Sequence, residues 1–244
     1  MNDIIDLHTH TLACGHAYNT LYEMAAAAAD HGVKVFGSSD HGPAMPGSCH
    51  EFYFSNFRVI PKYLSGIRLL MGCELNIVDY QGTVDLKEST LSRIDYAIAS
   101  LHIPCCPPGN ARENTAAYLG VMKNPYVQII GHPDDDRYPL DYHDLVAAAA
   151  EHHKLLEVNS SSLHPASSRK GARKRYLTML ELCVHYNAPI LIGSDAHCEA
   201  DAGNHARALE LLQEIHFPRE LVVNTDVHKL IPYIPALKSS QEAR

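Results

Sequence analysis

No stretch of this chain stays apolar long enough to cross a bilayer, so a membrane-spanning helix is not expected. The N-terminus has no basic stretch and no apolar segment before a small-residue cleavage site, which argues against a secretory signal. Basic charge is in deficit: 20 Lys and Arg face 28 Asp and Glu, a net charge of −8 with histidine neutral. That balance argues against stable binding to nucleic acid or to a membrane surface. Tryptophan is absent, and neither a basic stripe nor an aromatic platform for stacking single-stranded bases is visible. The seven cysteines are odd in number and include no Cys-x-x-Cys pair, and the adjacent Cys105 and Cys106 cannot readily bridge each other. A reduced, cytoplasmic protein is the expectation. Linkers and internal repeats are also missing; the alanine run Ala25–Ala29 reads simply as helix.

What remains is ample core and much histidine. Apolar residues make up 46% of 244, enough for one domain spanning residues 1–244, a length that α/β barrels reach as a single unit. Strand-like runs fall at Asp3–Leu7, Val33–Ser38, Ile67–Gly72, Tyr96–Ser100, Val127–Gly131, Lys154–Val158 and Pro189–Gly193. Helices are predicted between and after them, at Leu21–His31, Ser55–Leu64, Ser89–Arg93, Thr115–Lys123, Tyr142–His153, Arg169–Tyr186 and roughly Asn204–Ile215. A short strand at Leu221–Asn224 and a helix near Asp226–Tyr233 finish the pattern. Thr20 and Glu23 form a capping box, and Gly32 sits where a helix-ending glycine belongs. Repeated βα units imply a parallel sheet with right-handed crossovers. Seven units predict a closed or nearly closed barrel, with an open doubly wound sheet as the alternative.

The chemistry gathers at the strand ends. The first strand ends in Asp6-Leu7-His8-Thr9-His10, and alternation places both imidazoles on one face. His16 follows in the loop. Later strands lead into His41, Glu74, His102, His132, and then Asp195 and His197, while the sixth offers Asn159 and Ser160. In a barrel the C-terminal strand ends converge on one mouth, so nine candidate ligands meet there. A lone histidine at a strand end usually just hydrogen-bonds within its loop. Recurrence at nearly every strand end points to metal instead. One ion takes three or four protein ligands in a catalytic zinc site, so nine donors suit three ions with a bridging carboxylate. Imidazole-rich ligation favours Zn, Fe or Mn over Mg.

His8-Thr-His10, Ser39-Asp40-His41-Gly42, Glu74, His102, Gly131-His132-Pro133 and Gly193-Ser194-Asp195-Ala-His197 together resemble the motifs of the PHP (polymerase and histidinol phosphatase) superfamily. His16-Ala17-Tyr18, Asp40-His41-Gly42-Pro43 and Ser168-Arg169-Lys170-Gly171 resemble in particular its small bacterial stand-alone zinc phosphatases. The resemblance covers nearly the whole chain, in order. It implies an α/β fold, a distorted seven-stranded (β/α)7 barrel, with a trinuclear and usually zinc centre. By similarity, His8, His10, Glu74 and Asp195 hold one ion, and Glu74 bridges to a second completed by His102 and His132. His16, His41 and His197 hold the third.

The expected reaction is hydrolysis of a small phosphorylated metabolite, a phosphate monoester, by a metal-activated hydroxide. Three divalent ions outweigh two carboxylates and one hydroxide by about three charges, so the local field suits a phosphate dianion despite the acidic chain. Arg169 and Lys170, at the expected start of a helix, are candidates for holding the phosphate, with a solvated basic helix start as the alternative. Arg58 is a third candidate, more naturally a surface residue. Asp40 either orients an imidazole or caps a loop. Cys14, Cys73 and Cys198 read as packing or loop residues. Asp134-Asp135-Asp136 reads as a solvated turn, and His31, His152, His153, His185, His205 and His216 as solvent-facing. Competing readings are an exonuclease-type phosphodiesterase of the same superfamily, an amidohydrolase and a non-enzymatic metal binder. The fourth strand lacks the lysine that amidohydrolases commonly use. No heptad or interface stripe is legible, so a homo-oligomer stays open.

Overall fold

The computed structural model describes residues 3–240. Its strands, in chain order, are β1 (Ile5–Asp6), β2 (Val35–Ser38), β3 (Tyr63–Leu64), β4 (Ile67–Asn76), β5 (Tyr96–Ser100), β6 (Ile129–Ile130), β7 (Leu155–Asn159) and β8 (Ile190–Gly193). They form one sheet in the order β1-β2-β4-β5-β6-β7-β8, parallel throughout, with β3 added antiparallel to β4. The helices are α1 (Leu21–Asp30), α2 (Glu51–Ser55), α3 (Glu88–Leu91), α4 (Ala111–Met122), α5 (Tyr142–Glu151), α6 (Ala172–Tyr186), α7 (Ala206–Glu214) and α8 (Val227–Leu230). Seven parallel strands nearly closed on themselves and ringed by helices match the expected barrel. Among the described residues no helix is long and apolar enough to cross a membrane.

Period-two alternation builds two cores. Outward residues such as Leu156 and Val158 pack under the helices. Inward residues such as Ile5, Leu70, Ile98 and Leu155 fill the lumen, and Val223, Leu230 and Ile234 close its lower end. Tyr96 crosses this lumen to donate to the Leu7 carbonyl at 2.5 Å. A Cβ on Gly37 or Gly72 would come within 2.2 or 2.5 Å of the Tyr96 side chain, so those glycines make its space.

The sheet path ends at β1 and β8, and a single side chain spans much of the gap. The Asn224 carboxamide accepts from the Ile192 N–H and donates to the carbonyls of Ile5 and Ile192, each at 2.7 Å. At the upper end the backbone closes the seam directly. Asp195 N–H donates to the His8 carbonyl at 2.8 Å, and His10 N–H to the Ala196 carbonyl at 2.9 Å. The strand expected at Leu221–Asn224 is therefore two 3-10 turns, Arg219–Leu221 and Val223–Thr225, joined to the sheet by one bridge from Val222 to Ile190.

Other boundaries also shift for local reasons. The helix expected at Ser55–Leu64 breaks into α2, a 3-10 turn at Phe57–Val59 and the strand β3. Pro61 lacks the N–H a helix needs. Ser65 and Gly66 both take positive φ, 51° and 78°, the requirement of a two-residue hairpin turn into β4. Helix α4 starts four residues early because Asn110 and Glu113 form a capping box. Strand β4 continues past Gly72 to Asn76, so Glu74 lies inside a strand. Helix α6 begins at Ala172, after Arg169 and Lys170.

Candidate metal centre

All nine predicted donors meet at the mouth formed by the C-terminal strand ends. Glu74, fully buried, is the pivot. Its Oε2 lies 3.3 Å from His8 Nε2, 3.5 Å from His10 Nε2 and 2.8 Å from His41 Nδ1. Its Oε1 lies 2.8 Å from His132 Nε2 and 3.2 Å from His102 Nε2. Asp195 Oδ1 stands 3.6 Å from His8 Nε2 and 3.3 Å from His10 Nε2. The rings of His16, His41, His10 and His197 stack toward the opening, with centroids of neighbouring pairs 4.2–5.1 Å apart.

Four of these donor atoms, His8 Nε2, His10 Nε2, His41 Nδ1 and Glu74 Oε2, are buried without a hydrogen-bond partner. Buried polar atoms left unpaired are costly, about 1–3 kcal/mol each, and four that face one another call for a shared occupant. A divalent ion fits. Ligand bonds of about 2.0–2.2 Å in a tetrahedron put the donors roughly 3.3–3.6 Å apart. The separations of Glu74 Oε2 and Asp195 Oδ1 from His8 and His10 span 3.3–3.6 Å. Further groupings with metal-binding spacing are His8, His132 and Asp195; His10, His41 and His197; and His41, Glu74 and His102.

Neighbouring groups engage Nδ1 of five of the imidazoles and leave their Nε2 for the site. His8 Nδ1 meets Glu157 Oε1 at 2.7 Å, and His102 Nδ1 meets Asn76 Oδ1 at 2.8 Å. His16 and His197 use backbone carbonyls, those of Cys14 and Asp195. His10 Nδ1 lies 3.3 Å from Cys14 Sγ, which donates in turn to Asp40 Oδ1 at 3.2 Å. Asp40 therefore acts on His10 through Cys14, not on its neighbour His41, and it also accepts from the Thr11 N–H and hydroxyl and from Tyr53. Burial pushes the Cys14 thiol up, so it stays protonated for this relay. Cys14 thus has a polar role beyond the packing expected of it.

Glu157 went unpredicted. It sits inside β7, completely buried, and its other oxygen accepts the His132 N–H at 2.7 Å. A Cβ on Gly193 would lie 2.0 Å from Glu157 Oε1, so that glycine makes room for the carboxylate. His132 and Asp195 both adopt positive φ, 25° and 54°, backbone strain of the kind found at functional sites.

Burial raises the carboxyls of Glu74 and Asp195, but His41, His8 and His102 around the one, and His8 and Arg169 around the other, hold both well below the usual range. Burial, then the His197 and His41 charges, keeps His10 neutral, and burial takes His102 down to about 4. These are the metal-binding forms. His8 goes the other way: burial opposes, but Glu157, Glu74 and Asp195 raise it well above normal.

Of the three phosphate candidates, one reaches the mouth. Arg169 lines the histidine-walled cavity of about 200 Å³ and donates to Asp195 Oδ2 at 2.9 Å and to Ser162 Oγ at 3.0 Å. Lys170 is exposed and lines an adjoining groove, and Arg58 is exposed on the 3-10 turn at Phe57–Val59, outside the lining of that cavity. The turn expected at 134–136 forms but is mostly buried instead of solvated. Asp134 is fully buried against the Tyr176 and Ser162 hydroxyls, Asp135 is buried and holds Arg137, and Asp136 alone reaches solvent, paired with Arg175. His205, expected at the surface, is buried between Asp3 and Asp6 of the first strand segment.

The model of the PHP domain family matches residues 6–163. A probable phosphatase of Clostridium novyi is 45% identical over 234 residues, covering 96% of this chain and 95% of that protein. A probable phosphatase of Acetivibrio thermocellus is 42% identical over 238 residues, 98% of each chain. The fold also resembles the Lactococcus lactis histidinol phosphate phosphatase, solved with zinc, L-histidinol and phosphate. The TM-score is 0.62 at 17% identity, covering 88% of this chain and 95% of that one. The putative histidinol phosphatase of Listeria monocytogenes gives 0.58 at 17% identity, covering 82% and 97%. On its matched span and its near full-length relatives, the chain belongs to the PHP domain family.

Proposed function

We propose that this chain is a metal-dependent phosphatase that hydrolyses a small phosphate monoester at a centre of three divalent ions, zinc ahead of manganese or iron. The four buried, unpartnered donor atoms that face one another carry the reading. His8, His10, Glu74 and Asp195 would hold one ion, Glu74 with His102 and His132 a second, and His16, His41 and His197 the third. When bound, the ions supply an activated water and neutralise charge on the phosphoryl group.

The chain's own residues do the rest. Glu157, Asn76 and the Cys14–Asp40 pair lock His8, His102 and His10 in the tautomer that presents Nε2. Arg169 stays charged beside Asp195 and turns its remaining N–H donors to a phosphate oxygen. Only two carboxylates stand among the nine donors, so the loaded site is strongly positive and suited to a dianion. The names of the relatives, probable phosphatases, agree with this reaction, and the zinc and phosphate in the Lactococcus lactis structure agree with the ligand chemistry. Seven unpaired thiols fit a reducing cytoplasm.

The test is metal analysis of the purified protein together with assay of a panel of phosphate esters, histidinol phosphate and mononucleotides included, with Zn, Mn and Fe. His10→Ala and Asp195→Ala are expected to lose both metal and activity. A metal-stripped mutant that hydrolysed the panel at the parent rate would overturn the proposal.

A further inference from the structure

The cavity at the nine donors is small, about 200 Å³, so most of a substrate must extend beyond it. Next to it, and sharing Asp195, is a passage of about 290 Å³ walled by Ser160, Ser167 and Arg207. Beyond that, sharing Arg169 with the mouth and Arg207 with the passage, lies a groove of about 760 Å³ between α6 and α7.

The groove is basic in an acidic chain. Arg169, Lys170, Arg173, Lys174 and Arg207 line it against Glu210 and Glu214. Arg173 is committed to Glu214 at 2.6 Å, and Arg169 to Asp195 at 2.9 Å. Among the described residues Lys170, Lys174 and Arg207 have no acidic partner within ion-pair distance. The first turn of α6 opens on the same groove, and its N-cap, Gly171, supplies no side-chain hydrogen bond. The Asp136 carboxylate, paired with Arg175, lies against Gly171, so the positive field of the groove comes from Lys170, Lys174 and Arg207. One more group is unsatisfied on the way: the Ser160 hydroxyl, 1% exposed and without a partner, lines the passage.

We infer that this groove receives a second anionic group of the substrate, a phosphate or a carboxylate carried on the leaving alcohol. The inference rests on the phosphatase reading and narrows it to phosphate esters that carry a second anionic group. Arg169 marks the junction, with one face toward the mouth and its neighbours in the groove. Lys174 stands five positions after Arg169, which caps their Cα separation at about 17 Å, and both line the groove, so their long side chains can reach the two ends of a small bisphosphate. Charge-assisted contacts from flexible lysines and an arginine discriminate by charge more than by shape.

Two matched pairs of substrates distinguish the source of the second anion: fructose 1,6-bisphosphate against fructose 6-phosphate, and 3-phosphoglycerate against glycerol 3-phosphate. The member with the second anionic group in at least one pair should show a kcat/KM higher by about tenfold or more. In Lys174→Glu/Arg207→Glu that ratio should collapse toward one. Because both members are measured on the same preparation, a partly folded variant does not distort the ratio. Calorimetry on metal-stripped protein gives a readout independent of turnover, with 2,3-bisphosphoglycerate binding at least about tenfold more weakly to the variant. No preference in either pair, or a preference and affinity untouched by the double substitution, overturns the inference. Loss of every hydrolytic activity with the calorimetric difference intact would sink the phosphatase reading and leave the groove an anion site.

Discussion

Replacing Glu157 by glutamine keeps size and shape and changes only what the buried head group can accept. The carboxylate serves three donors: His8 Nδ1 at 2.7 Å, the His132 N–H at 2.7 Å and Asn159 Nδ2 at 3.3 Å. A glutamine has one accepting oxygen. If that oxygen faces His8, the amide N–H₂ confronts the His132 N–H and the Asn159 amide. If it faces His132, the amide donates to His8 Nδ1, and the ring must move its proton to Nε2, the atom turned toward Glu74 and Asp195. The first arrangement loses two accepted bonds and the second loses one, at a group buried at 0% exposure. A hydrogen bond to a charged partner is worth about 1.5–3 kcal/mol, so Glu157→Gln should cost that much in metal binding, roughly 10–100-fold in affinity. Competition against a chelator of known affinity measures the first ion lost, and circular dichroism during heating separates this from unfolding. Metal affinity within twofold of the parent, in a folded variant, would refute the reasoning.

Three further outcomes follow from other parts of the molecule. Asn224→Ala should destabilise by about 2–4 kcal/mol in urea titrations, since Ile192 N–H and two carbonyls lose their partner. Asn224→Asp should be worse still near neutral pH, with a gap that narrows in acid as the new carboxyl regains a proton to donate. His205 is raised from its ordinary 6.5 to about 9; burial opposes this, and Asp6 and then Asp3 overcome it. The stability this contributes, on the order of 3 kcal/mol, is fully present below pH 6.5 and is lost as pH rises through 9. The urea-midpoint gap between parent and His205→Gln should therefore be wide at pH 6 and small at pH 9.5; a constant gap counts against it. Arg169→Ala should raise KM for phosphate esters about tenfold or more and leave metal content unchanged, and lost metal instead would mean the arginine serves Asp195 alone.

The barrel was legible from its repeating units, and the nine candidate donors stand out in the sequence because they break the local pattern in the same place each time. Histidine or carboxylate after a run such as Leu-Leu-Met-Gly-Cys has no reason to be there as packing. Glu157 was missed because it does not follow a strand but sits within one, in Leu155-Leu-Glu-Val-Asn159. A signal existed: an unpaired charge inside an otherwise apolar strand must find a partner, and alternation aims it with Asn159 into the lumen. Cys14 offered less, since a small buried thiol looks the same whether or not it carries a hydrogen bond. Asp134 and His205 read as surface groups in the sequence because polar residues near loops usually are. Their burial depends on Tyr176, Asp3 and Asp6, contacts from distant parts of the chain that no local window contains. The same holds for Asn224, whose role exists only once β1 and β8 lie side by side.

That seam has a consequence for how the protein comes into being. His8 and His10 leave the ribosome first among the donors, and Asp195 and His197 last. The backbone bonds that join Asp195 to His8 and Ala196 to His10 form only when the two ends of the barrel meet. Such contacts, of very high sequence separation, form late and slowly. A nascent chain therefore carries its first two imidazoles through most of synthesis without Asp195 and His197. On the proposed ligand set, metal capture would report that closure has happened, and a chain cut short of its last strand would have most of the histidines and no finished centre.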